Sequence, residues 1–162
     1  MRILACDPGY DRLGIAVLEK ENGKEVLIFS TCITTDKSAS LPDRLLAIGT
    51  SFVDIINTYT PEAIALETLF FSKNVKTAMA VAEARGVLLY LARAHGCPVY
   101  EYSPQEVKVA TTGYGKSDKQ HVTDMVKRLV LNVPEGALDD EYDAIAVGLC
   151  ALASIRSVST PL

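Results

Sequence analysis

Apolar residues fall into short blocks in the first part of the chain and into helical stripes later. Residues 2–7 read as a buried strand that closes on Asp7, and Asp7-Pro8-Gly9 then turns the chain. Residues 14–19 alternate well enough for a second strand, Asn22-Gly23 is a hairpin-turn pair, and residues 26–34 make the third strand. Between 40 and 57, Leu41, Leu45, Ile48, Phe52, Ile55 and Ile56 share one helical stripe. Pro61 precedes a fourth strand, 63–67, which ends on Glu67. Residues 75–95 predict a long helix stopped by Gly96, followed by a strand at 98–102. Ser103 and Pro104 supply the N-cap and first-turn proline of another helix. Residues 112–115 form a loop, 117–131 a helix, and the final helix runs from about 140 to 156.

The order β-β-β-α-β-α-β-α-α-α predicts an α/β protein with a five-stranded mixed sheet. Its first three strands form an antiparallel meander, and helices cover both faces. Residues 1–157 are expected to be one domain, with 158–162 a short tail and 35–40 and 113–116 mobile loops. An apolar content of 49% and a charged content of 22% suit a globular protein, and no apolar run approaches the ~18 residues of a membrane span. Cys6, Cys32, Cys97 and Cys150 are scattered without metal-site spacing, as expected of reduced, buried thiols. With no basic head or cleavage site at the N-terminus, a cytoplasmic protein is expected.

A net charge of −4 argues against a polyanion partner, but its distribution changes the picture. Residues 1–71 carry six basic and ten acidic side chains, 72–128 carry nine and five, and 129–162 carry one and five. A basic middle is thus flanked by acidic segments.

Four acids stand where apolar segments meet turns: Asp7, Glu67, and the pair Asp140 and Asp143, three apart at a helix start. Taken singly, each has a plainer reading. Asp before Pro-Gly forms turns, and acids favour a helix N-terminus. If strand one neighbours strand four, however, Asp7 and Glu67 end side by side, and the last helix can bring the other two across from them. Such a cluster repels itself unless cations fill it. Oxygen ligands suit hard divalent ions, and two such ions can clamp a phosphodiester for in-line hydrolysis. Asp139 rivals Asp140 through a one-residue slip.

Asp7-Pro8-Gly9 with Gly14, the stretch Glu67, Phe70, Asn74, Thr77-Ala78 and Ala84-Arg85-Gly86, and the closing Asp140, Asp143-Ala144 resemble the RuvC family of Holliday-junction resolvases. Pro104, Val107-Lys108, Gly113, Gly115 and Lys119 fit the same pattern. The resemblance implies a ribonuclease-H-like fold and a homodimeric endonuclease pairing through helix 75–95. It would cut four-way DNA junctions by symmetric nicks during recombination and repair, leaving 5′-phosphate and 3′-hydroxyl ends. It also implies that Asp7, Glu67, Asp140 and Asp143 are the catalytic, metal-binding acids, holding two Mg2+ ions that Mn2+ can replace. Lys108 and Lys119 match lysines that approach the DNA backbone; Phe70 takes the position of a base-stacking aromatic, while Phe71 suits the core. Lys73, Asn74, Lys76, Arg85 and Lys116 would extend the DNA-binding surface. A branch-migration motor is an implied partner. Because Asp7-Pro8-Gly9, Arg12 and Gly14 also resemble YqgF-type proteins, a nuclease acting on structured RNA is the alternative.

Overall fold

A computed structural model describes residues 1–69 and 75–155. Three strands lead: β1 (Arg2–Asp7), β2 (Arg12–Glu21) and β3 (Lys24–Thr34). They are followed by α1 (Leu41–Tyr59), β4 (Ala63–Glu67), α2 (Val75–Ala94), β5 (Val99–Tyr102), α3 (Pro104–Thr112), α4 (Lys119–Leu129), β6 (Val130–Leu131) and α5 (Asp139–Ser154). The sheet order is β5-β4-β1-β2-β3-β6. β1–β2 and β2–β3 are antiparallel, and the pairs β1–β4, β4–β5 and β3–β6 are parallel.

β1 is buried on both faces because successive side chains point opposite ways. Ile3 and Ala5 face a core shared with α3, α4 and α5, while Leu4 and Cys6 face one shared with α1 and α2. Phe52, Ile48 and Leu88 anchor the second core. The four cysteines are free thiols, and three of them are buried.

The local signals act as the turn and cap chemistry requires. Asn22 and Gly23 take positive φ (49° and 80°), which matches a tight hairpin to strand twist and lets β2 and β3 pair right up to the turn. Ser40 accepts the Asp43 amide at the head of α1. Ser103 and Glu106 form a capping box that starts α3.

The sheet has six strands, not five. The expected helix 117–131 ends at Leu129, and Val130–Leu131 pairs with Glu25 and Val26 at the β3 edge. Val130 is buried and Asn132 takes a left-handed φ of 64°, so the chain leaves the helix to cover an open strand edge. Among the described residues no helix is long and apolar enough to cross a membrane.

Candidate active site

Because β1 and β4 run parallel in a register that pairs Cys6 with Leu66, their last residues, Asp7 and Glu67, end the two strands side by side. The two carboxyls share a hydrogen bond. On the other side of β1, Gly14 lies opposite Asp7. A Cβ on Gly14 would sit 1.9 Å from the Asp140 carbonyl oxygen, so only glycine lets the first turn of α5 settle over the strand ends. Ser30 Oγ donates to Glu141 Oε2 at 2.8 Å, and Glu141 Oε1 accepts the Leu138 amide at 3.2 Å. The first of these bonds ties that turn to β3, and the second closes the turn on itself. Asp140 and Asp143 are thereby brought to Asp7, and Asp143 to Glu67, closely enough for their charges to act on one another.

The result is a crowded anionic site. Burial, then the charges of Asp143 and Asp140, raise the Asp7 carboxyl above its ordinary range. Burial, then the Asp7 and Asp143 charges, raise Glu67 further. Burial also raises Asp143, against the pull of Lys119. Burial alone would lower Lys119, but Asp143 at 3.0 Å and Asp139 at 3.4 Å keep it charged above its ordinary value.

Arg12 Nε lies 3.2 Å from Asp140 Oδ2, yet the pair is out of line for a hydrogen bond, and that buried oxygen has no donor. The two observations are compatible, since charge attraction is nondirectional and hydrogen bonding is not. Between the rival acids, Asp140 has a side chain 18% exposed, against 70% for Asp139, and so Asp140 is the one turned inward. Among the described residues no three acids, imidazoles or thiols yet surround one point closely enough to hold an ion. The donor set nevertheless suits hard cations. It supplies four carboxylates and an acceptor oxygen without a donor.

The remaining candidates divide. Lys108 and Lys119 line a cavity of about 230 Å3 with Glu67, Pro104 and Asp143. Lys116 is exposed on the loop between α3 and α4. Arg85 is 18% exposed and ion-paired with Glu101 on β5. Phe70, Phe71, Lys73 and Asn74 lie outside the described residues, as does the Lys76 side chain. The contact of Arg12 with Asp140 was missed from sequence. The available signal was a lone arginine at the start of the strand beside Asp7.

A family model for "Crossover junction endodeoxyribonuclease RuvC" matches residues 3–151. The chain belongs to the RuvC family. A RuvC from Thermosipho melanesiensis is 46% identical over 96% of this chain and 99% of its own length. One from Geotalea uraniireducens is 41% identical over 93% and 87%. Among solved structures, Thermus thermophilus RuvC superposes with a TM-score of 0.84 at 29% identity, covering 94% of this chain and 93% of that one. The same RuvC in complex with a Holliday junction substrate gives 0.87 at the same identity and coverage. The yeast mitochondrial resolvase Ydc2, 14% identical with a TM-score of 0.70, shares the fold. A mixed sheet with helices on both faces is thus a fold this chain shares with solved RuvC structures.

Proposed function

We propose that this RuvC-family chain resolves four-way DNA junctions by metal-dependent phosphodiester hydrolysis, in recombination and repair in the cytoplasm. The observation that carries the reading is the meeting of Asp7 and Glu67, at the ends of adjacent parallel strands, with Asp140 and Asp143 on the first turn of α5. Residues 1–157 act as one nuclease domain, since both cores are built on a single sheet. Asp7, Glu67, Asp140 and Asp143 would hold two Mg2+ ions, with Mn2+ an effective substitute. With ions held by these acids, the site would supply a water of lowered pKa and positive charge to offset that of the scissile phosphate and leaving 3′-oxygen.

The protein's own groups do the rest. Burial and mutual repulsion raise both Asp7 and Glu67, and each must be deprotonated to act as an anionic ligand. Gly14 and the Ser30–Glu141 bond keep the α5 acids over the strand ends. Lys119 and Lys108 place positive charge at the rim of the Glu67–Asp143 cavity, where a phosphate would lie. Water is the nucleophile in this reading, and among the described residues no serine, cysteine or histidine lines the Glu67–Asp143 cavity.

The substrate's two-fold symmetry calls for two sites, and α2 exposes Met79 (60%) and Tyr90 (73%), which supports pairing of two chains through this helix. A branch-migration motor would present the junction. Incubated with Mg2+, a junction labelled on each strand should give paired nicks at symmetry-related positions that ligase can seal. Asp7→Asn should bind the junction and not cut it. Unpaired nicking, or cleavage by Asp7→Asn at the wild-type rate, would contradict the reading.

A further inference from the structure

Beside the acids, toward β3, lies a second and larger cavity of about 690 Å3, whose lining includes Gly9, Tyr10, Arg12, Thr34, Lys37 and Asp140. It shares no residue with the cavity of Lys108 and Lys119, which lies toward β4 and β5. In the sheet order the Asp7 strand stands between the two.

The loop forming the cavity floor is held firmly. Buried Arg44 donates through Nε to Thr35 Oγ1 at 2.9 Å and through a terminal nitrogen to the Tyr10 carbonyl at 3.2 Å, and pairs with Asp11. Its guanidinium also covers the Tyr10 ring at 4.7 Å. Thr35 Oγ1 donates to the Tyr10 carbonyl at 2.7 Å. Arg44 therefore takes one oxygen of Asp11, and Lys37 stands 3.9 Å from the other. Lys37 is 77% exposed and Arg12 51%, so both cations have donors to spare at the cavity mouth. The carboxylate of Asp140 also faces this cavity, and Arg12 offsets it. A divalent cation on Asp140 would leave the guanidinium's planar set of donors for a phosphate.

We propose that Arg12 and Lys37 form a second phosphate subsite, which grips the backbone of the cleaved DNA strand on the side of the acids away from Lys108 and Lys119. The proposal rests on the junction-cutting reading above. A strand crossing the acids meets cations on both flanks, so the scissile phosphate is fixed from two sides. Orientation of that kind is what in-line hydrolysis needs.

The test measures affinity for a fluorescent four-way junction across a salt series, with Ca2+ in place of Mg2+, for the full chain. Lys37→Ala should lower the slope of log affinity against log salt by about one, as loss of one phosphate contact does. Arg12→Ala should do the same, Arg12→Lys should restore part of it, and the double variant should lose about two. Lys24→Ala, in the hairpin turn at the far end of β3, should match wild type. In Mg2+, Lys37→Ala should lower kcat and raise KM while Tm stays at the wild-type value, a combination that a general folding defect would not give. A Lys37→Ala slope equal to that of Lys24→Ala, in a wild-type protein that binds and cuts junctions, overturns the subsite alone. A wild-type protein that neither binds nor cuts them overturns the subsite and the junction reading together.

Discussion

Replacing Glu67 with glutamine separates the stability of the acid cluster from its chemistry. Burial and the neighbouring charges of Asp7 and Asp143 raise the Glu67 carboxyl from 4.5 to about 8. A carboxyl with a folded pKa above its unfolded one keeps the native state richer in protons. Its contribution is therefore complete below the unfolded value and is lost as pH rises through the folded one. At ~1.4 kcal/mol per pH unit, the full displacement bounds the loss at roughly 5 kcal/mol. Glu67 and Asp7 titrate as a pair, and solvent reaches part of the site, so about 2 kcal/mol is the working figure at pH 8. Glutamine keeps the shape and a donor for Asp7 but carries no charge. In a chain of this size the gain should raise Tm by roughly 4–8 °C at pH 8 in EDTA, and it should vanish by pH 4.5. Added Mg2+ or Mn2+ should reverse the order, because the wild-type site then gains binding energy that the variant lacks. Thermal unfolding by circular dichroism at three pH values, with EDTA or metal, reads all of this. A wild-type protein as stable as Glu67→Gln at pH 8 in EDTA, or a pH trend of the opposite sign, would refute the reasoning.

Three other substitutions probe the construction. Gly14→Ala puts a Cβ 1.9 Å from the Asp140 carbonyl oxygen and 2.6 Å from its carbon, so α5 must shift. We expect a loss of about 3 kcal/mol in urea unfolding and at least ~100-fold in junction cleavage, the latter from displaced acids. Lys119→Met removes the cation that restrains Asp143, so Asp143 rises further and the acid limb of the pH–rate profile should move to higher pH; an unmoved limb would assign Lys119 to DNA contact alone. Phe52→Ala empties part of the α1–α2 core, away from the acids, and should cost about 3–5 kcal/mol in unfolding free energy. Per folded molecule, its cleavage rate at low temperature should match wild type.

Much of this arrangement was legible in the chain itself, because the signals are local. Alternating and helical apolar periods, an Asn-Gly pair and the Ser103-Pro104 cap set where most elements begin and end, and acids at the ends of apolar blocks marked the candidate site. What only the tertiary structure decided is pairwise and distant. β6 has two residues, too few to show a period, and exists because the β3 edge offers hydrogen bonds. Arg85 reads as a surface cation until β5 brings Glu101 against it. Arg12 gains an acidic partner only when α5 brings Asp140 within 3.2 Å, and the inward choice of Asp140 over Asp139 follows from that same docking. Charge acts through space and depends on how much water the fold excludes, so which acids share a proton, and which cations they keep, is settled where segments far apart in sequence are packed together.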